Sequence, residues 1–365
     1  MRRIFRAGIV YILSLEARLV LKKYRPRIIA VTGSVGKTST KDALFAVLSH
    51  EYHARKSEKS YNSDLGVPLT ILGCRSGWSD PLQWTETLLR GLWLILHRTT
   101  YPEWLVLEVG ADRPGDIARI TRLIRPDIVV LTRFPSIPAH IEFFGSRAEL
   151  VAEKAHLVRA LREGGALITN ADDEDTLGLR SLVRGETLSY GFSPESDIRG
   201  ISAEPYLDGG VRGTLEGMLI TVALGTRIVS VKLAGALGRT HMYPVLAALA
   251  LARLVGIDTV EAAHALSEHT SPPGRMRIIA GMRGTTIIDD TYNSSPVAAE
   301  EALEALRAPL CAGRHIAVLG DMLELGSHTA AAHRTLGSAA LSAADILVTV
   351  GLRARGIAEG ARASG

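Results

Sequence analysis

The sequence predicts an α/β protein with two units, the first built on a mostly parallel, doubly wound sheet. Three observations carry that reading. Residues 28–41 run from an apolar strand through a glycine-bracketed turn into a helix start. Short apolar runs alternate with helical periodicity from there to about residue 170. The same alternation resumes after Ser271-Pro272-Pro273-Gly274, the clearest linker in the chain.

Taken in order, residues 1–21 read as an amphipathic helix in which Glu16 and Arg18 interrupt the apolar face. Residues 28–31 form the first strand, 41–49 a helix, and 51–66 a polar loop. Residues 82–97, rich in Leu and Trp, read as an apolar amphipathic helix. Residues 104–109, 127–132 and 165–170 are continuous apolar runs of the kind found in strands covered on both faces, with helices at 117–123 and 149–162 between them. The texture changes over 185–235, where glycine turns separate alternating runs at 219–224 and 228–233, predicting a small antiparallel patch. An Ala- and Leu-rich helix occupies 243–255. Beyond the linker, strands at 285–289, 315–319 and 346–350 separated by helices predict a smaller, Rossmann-like α/β domain. The expected division is a helix at 1–26, a central domain at 27–271 and a C-terminal domain at 272–365.

Composition sets the class. The chain has 365 residues, 47% hydrophobic and 22% charged, with a formal net charge of +4. That is an ordinary globular balance with no dense basic tract, so no nucleic-acid partner is expected. Cys74 and Cys311 lie far apart without metal-ligand spacing and read as reduced thiols of a cytoplasmic protein. The charges inside residues 1–21 argue against a signal peptide or membrane span. That helix is expected to dock on the body of the protein, with a peripheral membrane contact as the alternative. A monomer is expected.

The chemistry starts at Gly33-x-x-Gly36-Lys37-Thr38, preceded by a strand and followed by a helix. Turn and helix N-terminal amides around Gly33, Ser34, Gly36 and Ser39 suit the phosphates of a nucleoside triphosphate. Lys37 adds positive charge, and the Thr38 hydroxyl is a hard ligand for Mg²⁺. ATP and Mg²⁺ are therefore the expected cofactors. Ligands of such sheets bind beyond the carboxyl ends of the strands, where Glu108, Thr132 and Asn170 also fall. Taken singly, Glu108 and His140 read as surface or capping residues and Lys154 as an ordinary lysine on a solvated helix face.

Six segments then occur in one order: 31–41, Asn62-Ser63-Asp64-Leu65-Gly66-Val67-Pro68, Leu107-Glu108-Val109-Gly110-Ala111, Ala139-His140-Ile141-Glu142, Asp289-Asp290-Thr291-Tyr292-Asn293, and Val318-Leu319-Gly320-Asp321-Met322-Leu323-Glu324-Leu325-Gly326. Together they resemble the Mur ligase family, and within it the branch that adds D-alanyl-D-alanine to a UDP-N-acetylmuramoyl-tripeptide during peptidoglycan synthesis. The resemblance implies a ligase that converts a carboxylate to an acyl phosphate with ATP and lets an amine displace the phosphate. Its substrates would be a peptide and a nucleotide-sugar small molecule.

It further implies that Lys37, His140, Lys154 and Arg275 are catalytic and that Thr38, Glu108, His140 and Lys154 hold magnesium. In the family, the lysine at the place of Lys154 is carbamylated by CO₂, a reaction that needs a neutral amine and so is favoured by burial. Arg275 would face the ATP phosphates, with Asp290, Tyr292 and Asn293 near ribose and base. Asn62 and Ser63 would lie near the acyl substrate and Asp321 near the incoming amine. Two other readings stay open: a family ligase with a different acyl acceptor, and a non-catalytic ATP-binding scaffold. The resemblance starts at about residue 27, so the UDP-binding domain that usually precedes the loop is expected to be missing, and the last domain is expected to be cut short at Gly365. Residues 238–244 also depart from the family pattern, with His241 as a substitute near the adenine.

Overall fold

The computed structural model describes residues 2–58, 60–77, 80–138, 140–208, 214–308 and 313–365. Ala139 and Cys311 of the sequence reading lie outside these described residues. The chain opens with α1 (Arg2–Tyr24), β1 (Arg27–Thr32), α2 (Lys37–Glu51), β2 (Ala54–Lys56), α3 (Gly66–Leu72) and α4 (Pro81–Leu96). It continues through β3 (Trp104–Glu108), α5 (Asp116–Ile120), β4 (Ile128–Leu131), α6 (Arg147–Arg159), β5 (Ala166–Asn170), α7 (Glu174–Gly178) and β6 (Thr187–Gly191). Then come β7 (Ile198–Asp208), β8 (Thr214–Leu224), β9 (Arg227–Ala234), α8 (Met242–Val255) and α9 (Thr259–Glu268). The last part holds β10 (Arg277–Ala280), β11 (Thr286–Asp289), α10 (Pro296–Arg307), β12 (Ile316–Gly320), α11 (Thr329–Ala340), β13 (Ile346–Val350) and α12 (Arg355–Ser364).

The first nine strands make one sheet in the order β2-β3-β1-β4-β5-β6-β7-β8-β9. It is parallel from β2 to β7 and antiparallel from β7 to β9. Side chains alternate across the sheet, as the two-residue period of a strand requires. Ile29, Val31, Val106, Val130 and Ile168 face α2, α8 and α9, forming one core. Ile28, Ala30, Leu105, Leu107, Val129, Leu131 and Leu167 face α1, α3, α4, α5 and α6, forming the other. Burial on both faces explains why these strands read as unbroken apolar runs.

The antiparallel patch belongs to this sheet, because Tyr190 and Gly191 of β6 pair in parallel with Ile198 and Arg199 of β7. The edge strand β2 was not legible, since Ala54-Arg55-Lys56 has no apolar pattern and takes its conformation from pairing with Trp104–Val106 of β3. In the C-terminal part β12 and β13 pair in parallel, whereas β11 turns back on β10. That reversal follows a tight turn in which Arg283 and Gly284 both take positive φ. A third core joins α10, α11, α12 and β12 around Leu303, Ala317, Met322, Leu336 and Ile357.

The N-terminal helix docks, as expected. Leu13, Ala17 and Val20 are fully buried against the second core. Burial of a Leu or Val side chain contributes roughly 1.5–3 kcal/mol. The Lys23 ammonium donates to the Leu94, Ile95 and His97 carbonyls, satisfying the C-terminal end of α4. Among the described residues, no helix is long and apolar enough to cross a membrane.

Candidate functional site

The site lies past the carboxyl ends of β1, β3 and β4, where the topology brings together loops far apart in sequence. Gly33 and Gly36 carry positive φ, 151° and 82°. A Cβ at Gly33 would fall 1.8 Å from Thr132 Oγ1, so only glycine lets β1 and β4 close at this corner. The Ser34 amide donates to the Arg133 carbonyl at 2.8 Å, tying the loop to β4. Gly36 then starts α2 with its N-terminal amides turned to the loop. The Ser34 hydroxyl is buried without a hydrogen-bond partner, the kind of vacancy a ligand oxygen satisfies. Lys37 is half-buried, and burial lowers its pKa. Glu108, Arg275 and Asp112 are the charges that act on it.

Glu108, at the end of β3, is 1% exposed and held from several sides. The Thr38 hydroxyl donates to its Oε2 at 3.0 Å and the Asn62 amide to its Oε1 at 3.2 Å. Lys41 Nζ lies 3.9 Å from Oε2 and donates to the Ser57 carbonyl. A buried carboxylate beside a threonine hydroxyl is a hard-oxygen pair that fits Mg²⁺, a cation that prefers oxygen ligands. Ser63 bonds the Gly66 amide through its hydroxyl and so caps α3.

His140 sits in a left-handed conformation, φ 67°, at the start of the turn Ile141–Phe143. Its Nδ1 is 2.5 Å from Glu324 Oε2 and its Nε2 4.0 Å from Asp112 Oδ1. Desolvation lowers its pKa, with Lys37 and Lys154 acting in the same direction. Lys154 projects from α6 and is 3% exposed. Burial, reinforced by Lys37, pushes its pKa down to about 7, so near neutrality much of it is free amine. Its neighbour Glu153 is also buried and accepts the Gly115 and Ile117 amides at 2.8 and 2.7 Å. Glu153 therefore caps α5 and fixes the height of α6, a role sequence reasoning missed. The capping partner lies more than thirty residues upstream, and no local pattern marks it.

The C-terminal part closes the site from the other side. Arg275 stacks on the Tyr292 ring at 4.2 Å, and the Tyr292 hydroxyl meets Ser60 Oγ at 2.7 Å. Asp289 accepts the Gly274 amide and Asp290 the Met276 amide, so the pair clamps the turn that carries Arg275. Burial raises the Asp290 pKa. Asn293 bonds its own neighbour, Ser294, and is exposed. Asp321 accepts the Ala354 amide at 2.7 Å, a bond that anchors the start of α12. His241 is 6% exposed, bonded to Ser271 and pushed down to about 4 by burial, which makes it a neutral packing residue under the linker. A second unforeseen link is the ion pair of Arg133 with Glu301 at 2.7 Å, joining β4 to α10. Cys74 is half-buried and its thiol is pushed up to about 11, the inert state expected of it.

The phosphate loop, the buried acid on the adjoining strand, a buried lysine and an arginine from a second α/β unit define an ATP-using ligase site. Residues 84–252 match the Mur ligase middle domain and residues 274–365 the Mur ligase glutamate ligase domain. The chain belongs to the Mur ligase family. It is 30% identical over 344 residues to the UDP-N-acetylmuramoyl-tripeptide–D-alanyl-D-alanine ligase of Escherichia coli, covering 93% of this chain and 68% of that protein. The Bacillus subtilis enzyme of the same name is 29% identical over 346 residues, 94% of this chain and 67% of its own length. Among solved structures, MurF of Thermotoga maritima in complex with ADP superposes with a TM-score of 0.76 at 27% identity, covering 95% of this chain and 72% of that one. MurF of Acinetobacter baumannii gives 0.78 at 25% identity, covering 95% and 69%.

Proposed function

We propose that this chain is an ATP-dependent amide ligase that joins D-alanyl-D-alanine to UDP-N-acetylmuramoyl-tripeptide. The observation that carries the reading is convergence. Lys37 and Thr38 of α2, Glu108 of β3, Lys154 of α6 and Arg275 of the turn before β10 come from four separate parts of the chain yet act on one another in one place. The MurF relatives supply the substrate class.

The tripeptide carboxylate takes the γ-phosphoryl group of ATP, giving an acyl phosphate and ADP. The dipeptide amine then attacks the carbonyl, phosphate leaves, and the amine proton passes to solvent or base. Lys37 and the loop amides hold the phosphate oxygens, and Arg275 brings a guanidinium to the charge that develops on them. Thr38, Glu108 and His140 would hold Mg²⁺, which supplies further neutralisation of phosphate charge when bound. Lys154 is suited to carbamylation because the free amine is the form that adds CO₂, and the carbamate would offer two oxygens of the hard type that suits Mg²⁺. Asp290, Tyr292 and Asn293 are assigned to the nucleoside, Asn62 and Ser63 to the acyl substrate, and Asp321 to the amine side. Because ATP is a cytoplasmic substrate we assign the protein to the cytoplasm, as a monomer with a domain division at residues 26/27 and 271/272.

A ligation assay read by mass spectrometry tests the proposal. With Mg-ATP, UDP-N-acetylmuramoyl-tripeptide and D-alanyl-D-alanine, a product heavier by one dipeptide, absent when ATP is omitted, is expected. ATP binding without that product would refute the assigned substrates.

A further inference from the structure

Two helices that pack side by side leave their outer faces bare. Along α1, Tyr11, Ile12, Leu15 and Leu19 are exposed at helical spacing. Along α4, Leu82, Leu89, Leu92, Trp93 and Leu96 repeat the pattern, with Leu82 80% and Leu96 68% exposed. The inner faces are fully engaged. Leu13, Ala17 and Val20 of α1 and Trp84 and Leu94 of α4 are buried, and Lys23 ties the helices together through three carbonyls of the α4 end. Glu16 also points inward, its carboxylate lying where a Cβ at Gly91 would stand. The outward stripes are thus a rigid apolar platform with no covering element among the described residues. Contiguous patches of this kind mark interaction surfaces.

The charge around the platform selects the occupant. Arg18 and Lys22 on α1, Arg25 after it, Arg90 on α4 and Arg98 after it are all exposed, against Glu86 as the exposed acid on α4. The α1 sequence carries Arg2, Arg3, Arg6, Arg18, Lys22 and Lys23 with Glu16 as its one acid, and Glu16 is buried. A basic amphipathic surface with an exposed Tyr and Trp is the composition that lies in a bilayer interface, apolar groups in the acyl boundary and cations at the headgroups. Neither helix meets the length and hydropathy needed to cross. A second copy fits poorly, because a two-fold contact would bring these basic groups face to face without acids to pair them.

We propose that the outer face of α1 and α4 docks this protein on an anionic lipid surface. The platform lies on the side of α1 and α4 opposite the residues that pack on the sheet, and it contains none of the residues assigned to the site. The catalytic assignment is independent of it.

Flotation of the full chain with vesicles of phosphatidylcholine alone, or with added phosphatidylglycerol, tests this. Binding to the anionic vesicles at least about tenfold stronger is expected, weakening as salt shortens the screening length. The double variant Leu89→Glu/Trp93→Glu changes only exposed positions, so its melting temperature should hold while vesicle binding falls to the phosphatidylcholine level. The charge variant Arg18→Glu/Arg90→Glu should lose the lipid selectivity. Equal binding to both vesicles, no binding to either, or binding unchanged in the double variant would overturn the proposal. So would a wild-type dimer that the double variant dissociates without any vesicle binding.

Discussion

Lys154→Met separates what this residue does for the fold from what it does for the reaction. Burial lowers the lysine pKa from 10.5 to about 7, and at about 1.4 kcal/mol per unit the shift corresponds to at most about 5 kcal/mol. The sign follows from linkage. Between about 7 and 10.5 the unfolded chain binds the proton that the folded chain has lost, so wild-type stability rises with pH across that window. Below it both states are protonated and the full destabilisation is present. Methionine fills a similar volume without charge, so the variant should be more stable at pH 7, with the gain shrinking toward pH 10. Denaturant unfolding in CO₂-depleted buffer at both pH values measures this. Ligation should fall by about two orders of magnitude or more, as for loss of a group that organises charge at the reacting phosphate. The smaller Lys154→Ala leaves a cavity in which a small carboxylic acid should restore part of the activity. A variant that is less stable at pH 7 and shows the wild-type pH slope would refute the argument, as would full activity.

Three other outcomes follow from the same reasoning. Glu16 is 9% exposed and burial raises its pKa from 4.5 to about 7, so wild-type stability should fall as pH rises through that window; Glu16→Gln should flatten the slope, which thermal melts at pH 4.5 and 7 would detect. Gly33→Ala places a methyl against Thr132 Oγ1 and should destabilise by about 3 kcal/mol or more, read from the denaturation midpoint; an unchanged midpoint would contradict the close approach. Arg275→Ala should lower kcat by about 10²–10³ while moving the KM for ATP far less, because its guanidinium answers charge that grows during transfer; the reverse split would move Arg275 to ground-state binding.

Much of the fold was legible because its signals are local. The phosphate loop is a contiguous turn whose glycines meet positive φ at Gly33 and Gly36, and a strand–turn–helix of that kind announces itself over a dozen residues. The doubly covered strands showed as apolar runs, since every side chain of β3 and β4, and of β1 after Arg27, is buried whichever face it takes. The two short-range failures have one cause. Strand β2 and the β10–β11 hairpin take their pairing from a neighbouring strand and a tight turn, not from their own apolar pattern. Of the site, Lys37, Thr38, Glu108, Lys154 and Arg275 act on one another, but several of their supporting partners were invisible. Glu153 caps a helix more than thirty residues away, and Glu301 reaches Arg133 across 168 positions.

The sequence by itself therefore determined the α/β class, the phosphate loop and the family, because each rests on residue type and short spacing. Tertiary structure alone decided that Lys154 is buried beside Lys37, that Asp289 and Asp290 clamp the turn bearing Arg275, and that His241 packs as a neutral residue under the linker. It also decided that the apolar stripes of α1 and α4 lie bare on one surface. Burial and proximity set the charge state of a group, and both depend on which distant segments the sheet order brings together.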